Sequence, residues 1–291
     1  MFIATLLTSP AKPRLEQAAV EALRNAWGGG AETWLQPGVA AEFPLPVQPA
    51  NRWEVWADLQ GLGIDLAVQR AEGRRKALLL ADMDSTMIDQ ECIDELADVA
   101  GVGARVAEIT ARAMNGELDF EAALDERVRL LTGLPEAVIG QVLQDRITLA
   151  AGGKELVATM KANGARAALV SGGFTAFTGP VATALGFDEN RANTLEAAGG
   201  KLTGSVRRPI LGRAAKAKAL TEITARMGIG ADQVMAVGDG ANDLAMLKIA
   251  GAGVALHAKP VVAAECELRV NHGDLTALLF LQGYRRSEFV A

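Results

Sequence analysis

Residues 77–86 read Ala-Leu-Leu-Leu-Ala-Asp-Met-Asp-Ser-Thr, and this stretch decides the fold. Five apolar residues end at a carboxylate, a pattern typical of a strand buried on both faces of a parallel sheet. Similar short strands are expected at 167–171, 233–237 and 253–256, separated by helical stretches. Strands that alternate with helices in this way predict an α/β fold with a doubly wound parallel sheet.

The alternation is interrupted at about 88–150, where four successive helices are expected. This stretch is predicted to be a helical cap insertion in a core that occupies residues 73–291. Residues 1–72 are predicted to form a small α+β N-terminal domain of β-α-β-α-β order. Its proline-rich segment 32–48 is expected to be irregular.

The composition narrows the function class. The 291 residues carry a net charge of −6, and only 4% are aromatic, which argues against a nucleic-acid surface. No window approaches the roughly 18 consecutive apolar residues of a membrane span. Cys92 and Cys266 match no metal-ligand spacing and are expected to be reduced thiols. We therefore expect a cytoplasmic protein with a small-molecule partner, and neither nucleic acid nor membrane.

The first motif that carries chemistry is the carboxylate pair Asp82 and Asp84. At the end of a parallel strand both side chains can point into one cleft. One carboxylate can attack phosphorus, and the other can protonate the leaving group and later activate water. Such a pair also suits a hard cation such as Mg²⁺. The alternative is an ordinary acidic turn with a helix cap at Ser85 or Thr86.

Two further motifs are individually weak. The segment 171–174, Ser-Gly-Gly-Phe, offers a hydroxyl and backbone N–H groups for phosphate oxygens, although it also fits a plain strand-to-helix turn. Lys216 and Lys218 lie on a helix expected at 214–227. Either lysine could offset phosphate charge, but a lysine on a helix is usually solvated.

The fourth motif, Gly-Asp-Gly-Ala-Asn-Asp at 238–243, follows the strand expected at 233–237. Asp239 and Asp243 add two carboxylates at the same edge of the sheet. Like charges packed this densely repel each other unless a cation lies between them. The ligand pattern of an EF-hand is absent, so a calcium loop of that type is disfavoured.

These four motifs, in this order, resemble those of the haloacid dehalogenase-like hydrolases. Within that superfamily, the extended form of the first motif, the glutamate that follows it and the sequence of the fourth motif resemble the phosphoserine phosphatase family. The resemblance covers about 77–285. It implies Mg²⁺-dependent hydrolysis of phosphoserine through an aspartyl-phosphate, the last step of serine biosynthesis.

The resemblance also implies roles for individual residues. Asp82 would be the nucleophile and Asp84 the general acid and base. Mg²⁺ would be held by the Asp82 side chain, the Asp84 backbone carbonyl and Asp239, with Asp243 supporting these ligands. The phosphate would be bound by Ser171, Gly172, Lys216 and Asn242. Lys216 is preferred to Lys218 because Ala219-Leu220 then follows at the family's offset.

Substrate choice would lie in the insertion. By the resemblance, Glu91 binds the substrate ammonium and Arg127 its carboxylate, for which a guanidinium is well suited. Met114 and Phe120 either line a closed lid or pack inside the cap. The N-terminal 72 residues resemble an ACT-like regulatory domain, for which an effector site or a homodimer contact is a hypothesis.

Three alternatives stay open at this point. A phosphotransferase could use the same residues to pass phosphate to another alcohol such as homoserine. A phosphatase for another small phosphomonoester, such as phosphothreonine, would need only a different cap. A metal-holding regulatory protein without activity is disfavoured, because it has no chemical need for all four of Asp82, Asp84, Lys216 and Asp239.

Overall fold

The computed structural model describes residues 1–114 and 117–291. The N-terminal part is a four-stranded antiparallel sheet in the order β2-β3-β1-β4. Its elements are β1 (Phe2–Leu7), α1 (Gln17–Ala26), β2 (Thr33–Gln36), β3 (Ala40–Leu45), α2 (Arg52–Gln60) and β4 (Asp65–Arg70). Ala4 and Leu6 of β1 share a core with residues of α1 and α2, whereas Leu7 packs with the rest of the protein.

The expectation of an irregular segment at 32–48 is wrong, because β2 and β3 lie there. Proline cannot donate to a sheet ladder, so it usually excludes an inner strand. Pro44 is tolerated in β3 because the pairing with β2 ends at Glu42. Beyond that point the Pro44 carbonyl accepts a hydrogen bond from the Gly30 N–H at 2.9 Å.

The remaining residues form a parallel sheet with helices on both faces, a helical insertion and a small hairpin. The elements are β5 (Leu78–Ala81), α3 (Cys92–Val99), α4 (Gly103–Met114), α5 (Phe120–Arg129), α6 (Val138–Asp145), α7 (Gly153–Ala162), β6 (Arg166–Phe174), α8 (Thr175–Leu185), β7 (Glu189–Asn193), β8 (Leu195–Ala198), β9 (Lys201–Val206), α9 (Arg213–Met227), β10 (Val234–Gly238), α10 (Leu244–Ile249), β11 (Ala252–Leu256), α11 (Pro260–Ala263), β12 (Leu268–Val270) and α12 (Ala277–Leu281).

The six parallel strands follow the order β12-β11-β10-β5-β6-β7. Leu78 and Leu80 of β5 pack with α9 and α10, whereas Leu79 and Ala81 pack with α7, α8 and α12. The expected doubly wound α/β fold is therefore confirmed. The strand order reverses at β5, and ligands in such sheets bind at the reversal, beyond the carboxyl ends of the strands.

The helical cap insertion is also confirmed, since α3 to α6 lie between β5 and α7. The two segments that connect it to the sheet lie side by side. Ile88 and Leu149 form an antiparallel bridge, and the Ala150 N–H donates to the Met87 carbonyl at 3.0 Å. The cap thus leaves and re-enters the core through adjacent, paired segments.

One buried carboxylate links the N-terminal sheet to the parallel one. Asp65 of β4 is fully buried and accepts three backbone N–H groups, from Asn271, His272 and Gly273, at 2.8 to 2.9 Å. Within the two described ranges, no helix combines the length and apolar character needed to cross a membrane. The domain boundary at 72 and the ACT-like resemblance stay predictions.

Candidate active site

Three of the motifs meet where the strand order reverses, because β10, β5 and β6 are adjacent strands. The first motif follows β5 and the fourth begins at the last residue of β10, whereas the second, residues 171–174, is the carboxyl end of β6 itself and not a turn after it. A cavity of about 60 Å³ opens between these motifs and the cap. The residues expected from sequence to bind substrate or metal that line this cavity are Asp82, Asp84, Glu91, Arg127, Ser171, Gly172, Asp239 and Asn242.

The carboxylates of Asp82, Asp239 and Asp243 form a buried cluster, with one oxygen from each within 4.8 Å of the others. Burial and the neighbouring carboxylates raise the pKa of Asp239 well above its usual range. Burial and the charge of Asp82 raise the pKa of Asp243 to about 7, although Lys216 opposes the rise. Buried anions so close together cost free energy unless a cation is bound, so this donor set fits a hard divalent ion.

Lys216 lies beneath this cluster and is fully buried. Its Nζ is 2.7 Å from Asp82 Oδ2 and 2.6 Å from Asp243 Oδ1. Burial disfavours the charged amine, but the two carboxylates outweigh it and raise the pKa of Lys216. Lys218 is exposed and its Nζ lies 3.7 Å from Glu222. Of the two lysines weighed from sequence, only Lys216 reaches the site.

Asp84 faces a different set of partners from Asp82. Its Oδ1 accepts the backbone N–H of Cys92 at 2.8 Å, and its Oδ2 accepts the Ser171 hydroxyl at 3.1 Å. Burial raises the pKa of Asp84, the charge of Asp82 raises it further, and these hydrogen bonds oppose the rise. A carboxyl whose protonated form is favoured in this way can donate a proton to a leaving group.

The glycines of the second motif are needed for close packing. A Cβ on Gly173 would lie 2.6 Å from Asp84 Oδ2, and one on Gly172 would lie 2.7 Å from the Phe120 ring. Phe120 therefore packs against Gly172 and lines the cavity. The side chain of Met114, the other residue considered for the lid, lies outside the described part of the chain.

Glu91 and Arg127 approach the cavity from the cap. The Glu91 carboxylate accepts the Ser85 hydroxyl at 2.6 Å. Burial and the charges of Asp84 and Asp239 raise the pKa of Glu91 well above its ordinary value. Arg127 is 5% exposed, and burial lowers its pKa against the opposing charges of Glu91, Asp94 and Asp84. A carboxyl group and a guanidinium group thus line the cavity together.

Sequence reasoning missed Asn193, which holds the carboxyl end of β6 through a hydrogen bond to Gly172. Its Nδ2 donates to the Gly172 carbonyl at 2.8 Å and to the Leu211 carbonyl at 3.1 Å, and its Oδ1 accepts the Leu211 N–H at 2.7 Å. Asn193 ends β7, a polar edge strand that the apolar pattern did not reveal. Had β7 been predicted, a polar residue at its carboxyl end would have been the signal.

The comparisons agree with this geometry. The chain matches the haloacid dehalogenase-like hydrolase family over residues 79–248. It is 45% identical over 263 residues to a phosphoserine phosphatase of Streptomyces coelicolor, covering 88% of this chain and 63% of the relative. For phosphoserine phosphatases of Archaeoglobus fulgidus, Haemophilus influenzae and Vibrio cholerae the covered share is 64%, 65% and 61%. The chain therefore spans less than two thirds of the length of these relatives.

Two of the solved structures that resemble this chain are informative. A HAD family hydrolase from Salmonella enterica serovar Typhi is 30% identical with a TM-score of 0.86, covering 97% of this chain and 98% of that chain. A phospho-aspartyl intermediate analogue of phosphoserine phosphatase is 40% identical with a TM-score of 0.68, covering 71% of this chain and 98% of that chain. Since the family match spans more than half of its residues, the chain belongs to the haloacid dehalogenase-like hydrolase family.

Proposed function

We propose that this protein is a Mg²⁺-dependent phosphatase that hydrolyses O-phospho-L-serine to L-serine and phosphate, the last step of serine biosynthesis. One observation carries the proposal. The same small cavity is lined by the carboxylate pair Asp82 and Asp84 and by two groups that suit an amino acid, Glu91 and Arg127. The printed names of the relatives support the same substrate.

In the proposed reaction, an oxygen of Asp82 forms a bond to phosphorus while the bond between phosphorus and the serine oxygen breaks. Asp84 gives its proton to that oxygen, and serine leaves. A water then attacks phosphorus and gives a proton to Asp84, while the bond between phosphorus and the Asp82 oxygen breaks. This step releases phosphate and restores the Asp82 carboxylate. The raised pKa of Asp84 and its 3.1 Å contact with Ser171 support the assignment of acid and nucleophile.

The surrounding residues would hold the transferred group. Lys216, 2.7 Å from Asp82, would balance the charge of the nucleophile. The Ser171 hydroxyl, the Gly172 N–H and Asn242 would bind phosphate oxygens. This assignment is supported by the position of all three residues in the lining of the same cavity.

For the metal we propose Mg²⁺, held by the Asp82 side chain, the Asp84 backbone carbonyl and Asp239. Asp243 would keep Lys216 and the loop after β10 in place, since its other oxygen accepts the Gly240 N–H at 3.1 Å. When bound, the ion would supply positive charge for the phosphoryl oxygens. The cluster of buried carboxylates supports a divalent ion here.

Phosphate release from a panel of phosphomonoesters tests the proposal. Purified protein with Mg²⁺ should prefer phosphoserine over phosphothreonine, phosphoethanolamine, glycerol phosphate and a sugar phosphate. EDTA should abolish the activity, because it removes the cation from the carboxylate cluster, and added Mg²⁺ should restore it. Activity without a preference for phosphoserine would contradict the assignment of the substrate, but not the proposed phosphatase reaction. Labelled phosphohomoserine formed in the presence of homoserine would favour a phosphotransferase.

Arg127→Ala should lower the preference for phosphoserine specifically. Loss of a charged, hydrogen-bonded clamp on the carboxylate should raise KM for phosphoserine by about 100-fold. KM for phosphoethanolamine, which has no carboxylate, should rise far less. The matched control is Arg129→Ala, since Arg129 is exposed on the same helix. Equal losses on both substrates would mean that Arg127 has a structural role.

We also propose that the protein is located in the cytoplasm. Its two buried cysteines are free thiols, which supports a reducing compartment. A homodimer through the N-terminal domain stays a prediction, which sedimentation of the full chain would test.

A further inference from the structure

A chain of hydrogen bonds leads from Arg127 away from the cavity and crosses three cap helices. Arg127 Nη1 on α5 donates to the Thr110 hydroxyl on α4 at 3.0 Å. That hydroxyl donates to Asp94 Oδ1 on α3 at 2.7 Å. Thr110 is 3% exposed, so water does not readily replace it. The guanidinium is thus linked to the two other helices that surround it.

The direction of these bonds depends on Asp94. A hydroxyl has one donor and two acceptor lone pairs. On a helix, a threonine hydroxyl can instead turn back to donate to a carbonyl of the preceding turn. Because Asp94 Oδ1 accepts the hydrogen bond of the Thr110 hydroxyl, the oxygen lone pairs of Thr110 are left to accept from Arg127.

A second bond completes the orientation of the guanidinium. Arg127 Nε donates to the Ala123 carbonyl, one turn earlier on α5, at 3.2 Å. Since the guanidinium is planar, two bonds from different nitrogens fix the plane of the whole group. The donors not used in these bonds are then available in a fixed direction for the cavity that Arg127 lines.

We propose that Thr110 and Asp94 are positioning residues that orient Arg127 toward the carboxylate of the substrate. They would thereby set the preference for phosphorylated amino acids over phosphomonoesters that lack a carboxylate. The inference rests on the proposed function, because it assumes that Arg127 meets the substrate carboxylate. Neither residue lines the cavity, so both would act through the guanidinium.

The test is Thr110→Val, which keeps the shape of the side chain and removes the hydroxyl. The ratio of kcat/KM for phosphoserine to that for phosphoethanolamine should fall about tenfold or more. The change should lie mainly in KM for phosphoserine. Thr110→Ser should restore the ratio to near the wild-type value. The control is Thr178→Val, because Thr178 is also fully buried and bonds a side chain, Asn190 at 2.8 Å, in the core.

A spectroscopic readout separates this inference from the proposed function. The ¹⁵N–¹H signal of Arg127 Nε, assigned by its loss in Arg127→Lys, should be sharp in the wild type. It should broaden in Thr110→Val and return in Thr110→Ser. A wild type without preference for phosphoserine would reject the proposed substrate, whatever this signal does. An unchanged signal, or equal kinetic losses on both substrates, would reject the positioning role of Thr110.

Discussion

Asp82→Asn is expected to reduce kcat for phosphoserine by about 10⁴-fold or more, the scale seen when a nucleophile is removed. Asparagine has the same shape and can still accept the Met83 N–H, which Asp82 Oδ1 accepts at 2.8 Å. Its amide is a poor nucleophile, however, so the bond to phosphorus should not form. Steady-state phosphate release measures the loss.

A trapping experiment tests whether Asp82 carries the phosphoryl group. The wild type is quenched with acid during turnover, and the tryptic peptide 77–105 should gain the mass of one phosphoryl group. The Asp82→Asn peptide should not gain it, and exposed Asp145→Asn should behave as the wild type. Near-native activity of Asp82→Asn, or a phosphoryl group on another peptide, would overturn the assignment of the nucleophile.

Lys216→Met should have the largest effect on stability. Methionine fills similar space but leaves the buried carboxylates of Asp82 and Asp243 without the amine that lies within 2.7 Å of both. Removing one partner of a buried ion pair costs about 3–5 kcal/mol. We expect that loss in the free energy of unfolding, measured with urea in EDTA. Without the ammonium the carboxylate cluster is more negative, so the variant should bind Mg²⁺ more tightly than the wild type, and Mg²⁺ should then reduce the loss.

The activity of Lys216→Met should fall as well, by about 10²- to 10³-fold in kcat, typical of losing one stabilising group at a reaction centre. Lys218→Met is the matched control, because Lys218 is exposed on the same helix. Its stability should stay within about 0.5 kcal/mol of the wild type. A Lys216→Met variant that is as stable as this control would mean that the buried carboxylates do not need the lysine.

The sequence pattern indicated which residues lie near the carboxyl-terminal edge of the parallel sheet. Asp82, Asp84, Ser171 and Asp239 line the expected cavity. The reason is that a short apolar run marks a buried parallel strand locally, and the carboxyl ends of parallel strands share one edge of the sheet. Position after such a strand therefore predicts position in space.

Elements without a local pattern were not predicted. The strands β7, β8 and β9 are polar or partly exposed, and β3 contains a glutamate and a proline. Their strand character comes from pairing with another strand rather than from their own periodicity. Asn193, which supports Gly172, was missed for this reason.

The sequence alone therefore determined the α/β class, the helical insertion and the carboxylate-rich edge where chemistry is proposed, because these depend on local periodicity and chain order. Only the tertiary structure decided which lysine is buried, since residues two apart on a helix face different ways and packing selects the inner one. It alone also joined Arg127 to Thr110 and Asp94. Contacts across three helices depend on how the helices pack, which no single helix encodes.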